Sequence, residues 1–170
     1  MEKTLKIINE LMKQGLIVNY AIGGGIAAIF YVESFLTYDL DVFYKAAEED
    51  KGVTTLSPIY NWLKQRGYKL QKEHIIVEGI PVQFIPVYNE LIHDAVKEAV
   101  EVKYEETRTR IFKPEHLIAI MVQTFRPKDR ERLIKMMDEA DINRGYLTEI
   151  LEKYSLREKF EHFMRLYYEK

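Results

Sequence analysis

The chain has no cysteine among its 170 residues. That excludes a disulfide framework and any zinc site held by thiolates. It also lacks long hydrophobic runs. Apolar residues make up 47% of the sequence, but no run of them is long enough to cross a bilayer. No basic segment followed by an apolar stretch opens the chain, so no secretory signal is expected and cytoplasmic residence is the default. There is no surplus of positive charge either. The formal net charge is −2, which argues against a molecule that binds nucleic acid over its whole surface and leaves only a local patch for such a partner. The four histidines, His74, His93, His116 and His162, nowhere pair at metal-ligand spacing, so no transition-metal site is expected. Repeats and low-complexity segments are absent. The length suits one domain, or one with a small appendage.

What the sequence does contain is one dense stretch. An apolar run, Leu16 to Ile22, reads as a buried strand and is followed by Gly23-Gly24-Gly25. A short apolar helix is expected from Ile26 to about Ser34, and a second strand from about Asp39 to Tyr44. Strand side chains alternate between faces, so Asp39 and Asp41 point the same way, with Cα atoms about 6.5–7 Å apart. Two carboxylates on one face repel unless a proton or a cation lies between them. A hard divalent cation, Mg²⁺ or Mn²⁺, suits an all-oxygen pair and fills its remaining positions with water and phosphate oxygens. The glycines let backbone amides approach a phosphate, and a helix N-terminus behind them adds partial positive charge. The stretch therefore predicts a site for a metal-bound nucleoside triphosphate.

The remaining elements follow from periodicity and punctuation. Glu2 to Gln14 is amphipathic, with Leu5, Ile8, Leu11 and Met12 on one face and Gly15 suited to the position after the helix. The acidic run Glu48-Glu49-Asp50 reads as solvated loop. Ser57-Pro58 opens a helix to Arg66, with Ile59, Trp62 and Leu63 inward. Tyr68 to Val77 and Ile80 to Val87 form a hairpin about Glu78-Gly79. Helices are expected from Asn89 to about Val100, from Pro114, from Arg130 to Ala140, from Asn143 to Lys153 and from Leu156 to Glu169. Glu101 to Phe112 makes one or two strands, with Arg108 and Arg110 on one face. Ser155 and Glu158 read as a capping box. The fold class is α/β (α+β). A core with a small mixed sheet occupies 1–112, and a helical section, 113–170, closes one side of the cleft.

The order strand, glycines, helix, Asp-x-Asp resembles the signature of the nucleotidyltransferase superfamily. The wording Gly23-Gly24-Gly25-Ile26-Ala27, then Thr37-Tyr38-Asp39-Leu40-Asp41-Val42-Phe43, is similar to that of the abortive-infection toxin nucleotidyltransferases and their relatives. The resemblance covers roughly 16–140. It implies that Asp39 and Asp41 hold Mg²⁺ (or Mn²⁺), that Gly23, Gly24, Gly25 and Thr37 help bind an NTP, and that an NMP is transferred to a hydroxyl or phosphate. In that family a third carboxylate comes from a strand like Ile80 to Pro86; the matching residue here is Gln83. Glutamine carries no charge and accepts no proton at neutral pH, so the metal site is expected to be weakened. Glu73 and Glu78 are the nearest acids in sequence.

A later family motif, Arg-x-Lys-Asp, matches Arg126, Lys128 and Asp129, either as phosphate or base contacts or as a helix cap. The lysine that often precedes it by five residues is Met121 here. Tyr20, Tyr38 and Phe43 are the aromatic candidates for stacking a base. Two readings follow. One is a nucleotidyltransferase acting on an unidentified acceptor. The other is a catalytically degenerate relative that binds a nucleotide or a partner protein; beside them stands the toxin half of a toxin–antitoxin pair, whose partner would be an antitoxin-like protein.

Overall fold

In a computed structural model of the chain, residues 1–33, 36–47 and 57–169 are described. The acidic run Glu48-Glu49-Asp50 and Ser34 lie outside them. The chain opens with α1 (Glu2–Lys13) and β1 (Ile17–Ile22), followed by the short α2 (Gly24–Ala28) and β2 (Leu40–Ala46). After α3 (Ser57–Gln65) come β3 (Lys69–Gln71), β4 (His74–Val77) and β5 (Ile80–Pro86). Then α4 (Glu90–Lys97) leads to β6 (Val100–Tyr104) and β7 (Thr107–Ile111). Four helices end the chain: α5 (Pro114–Thr124), α6 (Pro127–Glu139), α7 (Arg144–Lys153) and α8 (Arg157–Tyr167). No helix among the described residues is long and apolar enough to cross a membrane.

The strands form one seven-stranded mixed sheet in the order β3-β4-β5-β2-β1-β7-β6. At its centre β2 runs parallel to β5 and antiparallel to β1, while β1 runs parallel to β7. Alternation decides what each face carries. Leu40, Val42 and Tyr44 lie level with Val82, Phe84 and Pro86 on one face. There α1 and α3 cover them: the Tyr20 hydroxyl donates to Asn9 Oδ1 at 2.6 Å, and the Tyr60 ring meets Phe84 edge-on. Asp41, Phe43, Gln83 and Ile85 take the opposite face, which α5 roofs. The core is continuous and includes Ile8, Leu11, Ile22, Ile118 and Phe163, none more than 1% exposed.

The expected mixed α/β architecture is what the structure shows, with local corrections. Tyr68 to Val77 is not one strand. Lys72 takes a positive φ of 56°, which turns the chain between β3 and β4, so the first arm is itself a hairpin. The second helix is five residues long and begins at Gly24 rather than Ile26. The capping box at Ser155 does not form. Ser155 sits in the left-handed region at φ 56°, because it closes α7: its N–H donates to Glu152 O and that of Leu156 to Leu151 O. Gly15 closes α1 in the same way, with its own N–H and that of Leu16 donating to Met12 O and Leu11 O.

His116, in the first turn of α5, is 2% exposed and packs edge-on against Tyr146. Burial, reinforced by Lys113, lowers its pKa from 6.5 to about 4. The folded protein therefore refuses a proton that the unfolded chain accepts below pH 6.5. Stability should fall as pH drops from about 6.5 towards 4, by up to about 3 kcal/mol. Urea melts of the native chain and of His116→Phe across that window check this. The variant should lose part of the slope.

Candidate active site

The two aspartates reach the same cleft from different backbone. Asp39, the expected strand start, is the last residue before β2, which begins one place later at Leu40, and Asp41 is the second residue of β2. Directly across the parallel pair lies Gln83 of β5. All three line a cleft of about 250 Å³ with Gly24, Phe43, Tyr88, Phe112, Met121 and the α6 residues Lys128 and Arg132. Arg126 and Asp129 line it as well. Most of the candidate residues, distant in sequence, thus meet at one place.

The glycines play different parts in this arrangement. Gly24 has φ +57°, and a Cβ there would lie 1.9 Å from Asp41 Oδ2. Its absent side chain is the space the carboxylate occupies. Gly23 is extended, and a Cβ there would strike the Phe43 and Phe112 rings at 2.5 and 2.8 Å; its N–H donates to Asp41 O at 3.0 Å. Gly25 backs onto Thr37 and Arg132. Of the four nucleotide-binding candidates Gly23, Gly24, Gly25 and Thr37, only Gly24 lines the cleft. The Thr37 hydroxyl is buried and has no hydrogen-bond partner among the described residues. A five-residue helix also makes a poor dipole, so the expected helix-terminus contribution is not a feature of this fold.

The cleft is electrically divided. Burial, then the neighbouring charge of Asp39, raises the Asp41 carboxyl from 3.8 to about 6, against the opposing pull of Lys128, Arg132 and Arg126. A carboxylate held that high is one that a cation would relieve. The donor set, two carboxylates and an amide oxygen, fits a hard divalent ion completed by water or phosphate. Among the described residues no group of three His, Cys, Asp or Glu side chains converges on a single point.

Asp129 takes part in the wall as a cap. Its carboxylate accepts from Arg126 Nε at 2.7 Å, Thr124 Oγ1 at 2.8 Å and the Arg126 N–H at 3.1 Å. Burial opposes ionisation there, but these hydrogen bonds outweigh it and hold the group below the ordinary carboxylate range. Asp129→Ala strands those donors at a position only 3% exposed. It should cost about 2–3 kcal/mol, read as a drop in urea midpoint at pH 7.

Other candidates lie elsewhere. Arg108 pairs with Glu101 on the surface. Arg110 is spent on main-chain oxygens of Tyr20, Lys97 and Ala99. Glu78 accepts from the Tyr68 hydroxyl and Glu73 is exposed; neither lines the cleft. Tyr20 is buried on the α1 face. Tyr38 is exposed and is not part of the lining, so of the three aromatics only Phe43 lines the cleft. Sequence reasoning missed Arg132, Tyr88 and Phe112. Arg132 carries a readable signal, since it lies four residues after Lys128 on one helix face. The other two are brought in by tertiary folding alone.

No protein-family model matches the sequence, and no curated protein does. Solved structures do. An antigenic nucleotidyltransferase-like protein from Paracoccidioides brasiliensis superposes with a TM-score of 0.50 at 14% identity, over 81% of this chain and 76% of that one. ANT(2'')-Ia in complex with adenylyl-2''-tobramycin superposes with a TM-score of 0.56 at 11% identity, over 92% of this chain and 98% of that one. The solution structure of the antibiotic-resistance factor ANT(2'')-Ia gives 0.51 at 13% identity, over 95% and 99%. At these identities the likeness establishes the fold, which is nucleotidyltransferase-like.

Proposed function

We propose that the chain binds a nucleoside triphosphate with a divalent cation in this cleft and transfers its NMP to a hydroxyl-bearing acceptor. The observation that carries the reading is the division of one cleft into a carboxylate pair and a cationic wall. Asp39 and Asp41 lie on the sheet side, and Arg126, Lys128 and Arg132 come from the helical side. The fold shared with ANT(2'')-Ia, whose crystal structure is in complex with adenylyl-2''-tobramycin, supports it.

In this reading Asp39 and Asp41 hold Mg²⁺ or Mn²⁺, which supplies charge neutralisation on the triphosphate. Lys128, Arg132 and Arg126 oppose the phosphate charge, with Arg132 taking the part that Met121 cannot. Phe43 and Tyr88 offer faces to a base. The acceptor oxygen bonds to the α-phosphorus, the α–β anhydride bond breaks, and pyrophosphate departs. Gln83 cannot take the hydroxyl proton, which passes to solvent. Gly23, Gly25 and Thr37 shape the turn that seats Asp41 rather than touching the ligand.

Thermal unfolding with each of the four NTPs and Mg²⁺ tests the site. At a ligand concentration of about 100 times Kd the fold gains roughly 2.7 kcal/mol, a shift of several degrees. The shift should vanish in Asp39→Asn/Asp41→Asn. No shift with any NTP would sink the reading.

Gln83 favours a second reading, in which the site binds nucleotide but transfers nothing. Gln83→Asp decides between them. It restores an acid beside Asp41 and should raise transfer about tenfold or more, equivalent to about 1.4 kcal/mol. A native protein that is silent until this substitution belongs to the degenerate class. The Gly-Gly-Gly-x-Ala and Asp-Leu-Asp wording extends the proposal to a toxin of a toxin–antitoxin pair. Growth arrest on expression, relieved by the product of an adjacent gene, tests that extension.

A further inference from the structure

The register of the sheet places a histidine beside the aspartates. Ile75 of β4 pairs with Val82 of β5, and Gln83 of β5 pairs with Asp41 of β2. One further rung along the antiparallel β4–β5 ladder sets His74 level with Gln83. Residues level with one another in neighbouring strands share a face. Their sequence neighbours Leu40, Val82 and Ile75 are all buried on the other side. Asp41, Gln83 and His74 therefore form one lateral row across three strands.

His74 Nε2 is buried and makes no hydrogen bond to a described residue. It lies 3.8 Å from Asp39 Oδ2. That is too long for a hydrogen bond, and leaving a buried nitrogen without a partner is destabilising. The separation is close to the edge of a coordination polyhedron instead. Two ligands each about 2.1 Å from one ion stand about 3.0–3.4 Å apart, so a movement of about half an ångström would bring both onto one ion. The Gln83 amide is next in the row, level with Asp41, and lines the same cleft as Asp39.

We infer that His74 Nε2 and Asp39 Oδ2, with the Gln83 amide oxygen beside them, form a cation position that favours first-row transition ions such as Mn²⁺ over Mg²⁺. The inference rests on the proposed reading of Asp39 and Asp41 as cation ligands and adds a nitrogen donor to that site. Magnesium keeps an all-oxygen shell, whereas imidazole donors suit transition ions. The imidazole occupies the neighbourhood from which the third carboxylate is missing. Two or three protein donors leave positions open, and phosphate oxygens and water fill them.

The test uses the full chain with Mn²⁺ and inorganic tripolyphosphate, a probe that carries no nitrogen of its own. Electron spin-echo spectra of bound Mn²⁺ should show modulation from a directly ligated ¹⁴N. His74→Ala should lose that modulation and His93→Ala should keep it. Calorimetry should show Mn²⁺ binding about tenfold or more weaker in His74→Ala, with Mg²⁺ binding changed less than twofold. His74→Asn, a smaller change, guards against a misfolded alanine variant, and the native spectrum needs no variant at all. Native Mn²⁺ binding that is lost in Asp39→Asn/Asp41→Asn but shows no nitrogen modulation overturns the role of His74 and leaves the proposed function standing. Absence of Mn²⁺ and Mg²⁺ binding in the native chain, or binding unaffected by the double substitution, overturns both.

Discussion

Asp41→Asn should lower nucleotidyl transfer by about 10³-fold and at the same time make the metal-free fold more stable. The two effects have one cause. Burial and the charge of Asp39 hold the Asp41 carboxyl at about 6, so above that pH the folded protein carries a carboxylate it would rather protonate. In the unfolded chain the same group ionises near its ordinary value. Between those two values the folded state retains a proton that the unfolded state has released. Stability therefore declines as pH rises through the window, by up to about 3 kcal/mol. Asparagine keeps the shape and removes the charge. Thermal unfolding in EDTA at pH 7.5 should show a higher Tm for the variant than for the native protein, and the stabilisation by Mg²⁺ and NTP should disappear. An unchanged Tm would mean that the carboxylate is better solvated than its surroundings indicate.

Gly24→Ala should damage the site more than it damages the fold. Its φ of +57° is a conformation that costs a residue with a Cβ about 1–2 kcal/mol, so a fall of that size in unfolding free energy is expected. The larger effect is steric. A methyl group here would lie 1.9 Å from Asp41 Oδ2 and 3.0 Å from its Cγ. The carboxylate must rotate away, because the backbone it competes with is fixed by the Gly23 N–H bond to Asp41 O. Nucleotide with Mg²⁺ should then bind at least about tenfold more weakly, a loss of about 1.4 kcal/mol. Calorimetry on the variant measures it. Gly25→Ala is the informative contrast. It meets Thr37 and Arg132 rather than an aspartate, and should disturb the turn without displacing Asp41.

Both predictions concern a spot where the sequence is dense and the tertiary structure decides the detail. Three consecutive glycines look interchangeable when read along the chain. In the fold, one makes room for a carboxylate, one for two aromatic rings and one for a threonine and an arginine. The Arg126-x-Lys128-Asp129 motif divides in the same way. Asp129 serves the backbone and side chains around the start of α6, while Lys128 and Arg126 project charge at Asp41.

Local rules determined what depends on local physics. Periodicity located α1, the central strands and the C-terminal helices. Asn89 and Asn143 cap their helices by accepting from Ile92 N and Tyr146 N, and Pro114 opens α5. Alternation predicted a shared side for Asp39 and Asp41, and both line the cleft although Asp39 precedes the strand; composition excluded disulfides and thiolate metal sites. Where two signals competed, as at Ser155, the left-handed turn that ends α7 overrode the cap that would have begun α8.

Only the tertiary structure decided who meets whom across the sheet. Spacing along the chain sees neighbours three or four residues apart in a helix and two apart in a strand. It has no view of a ladder that sets residues 41, 83 and 74 side by side. The expectation that no histidine lies at metal-ligand spacing holds along the sequence, yet the pairing of β4 with β5 carries His74 to within 3.8 Å of Asp39. Tyr88, Phe112 and Arg132 enter the cleft by the same route. The sequence determined the chemistry available to this protein, and strand pairing determined which groups share a site, because pairing joins residues without regard to their separation along the chain.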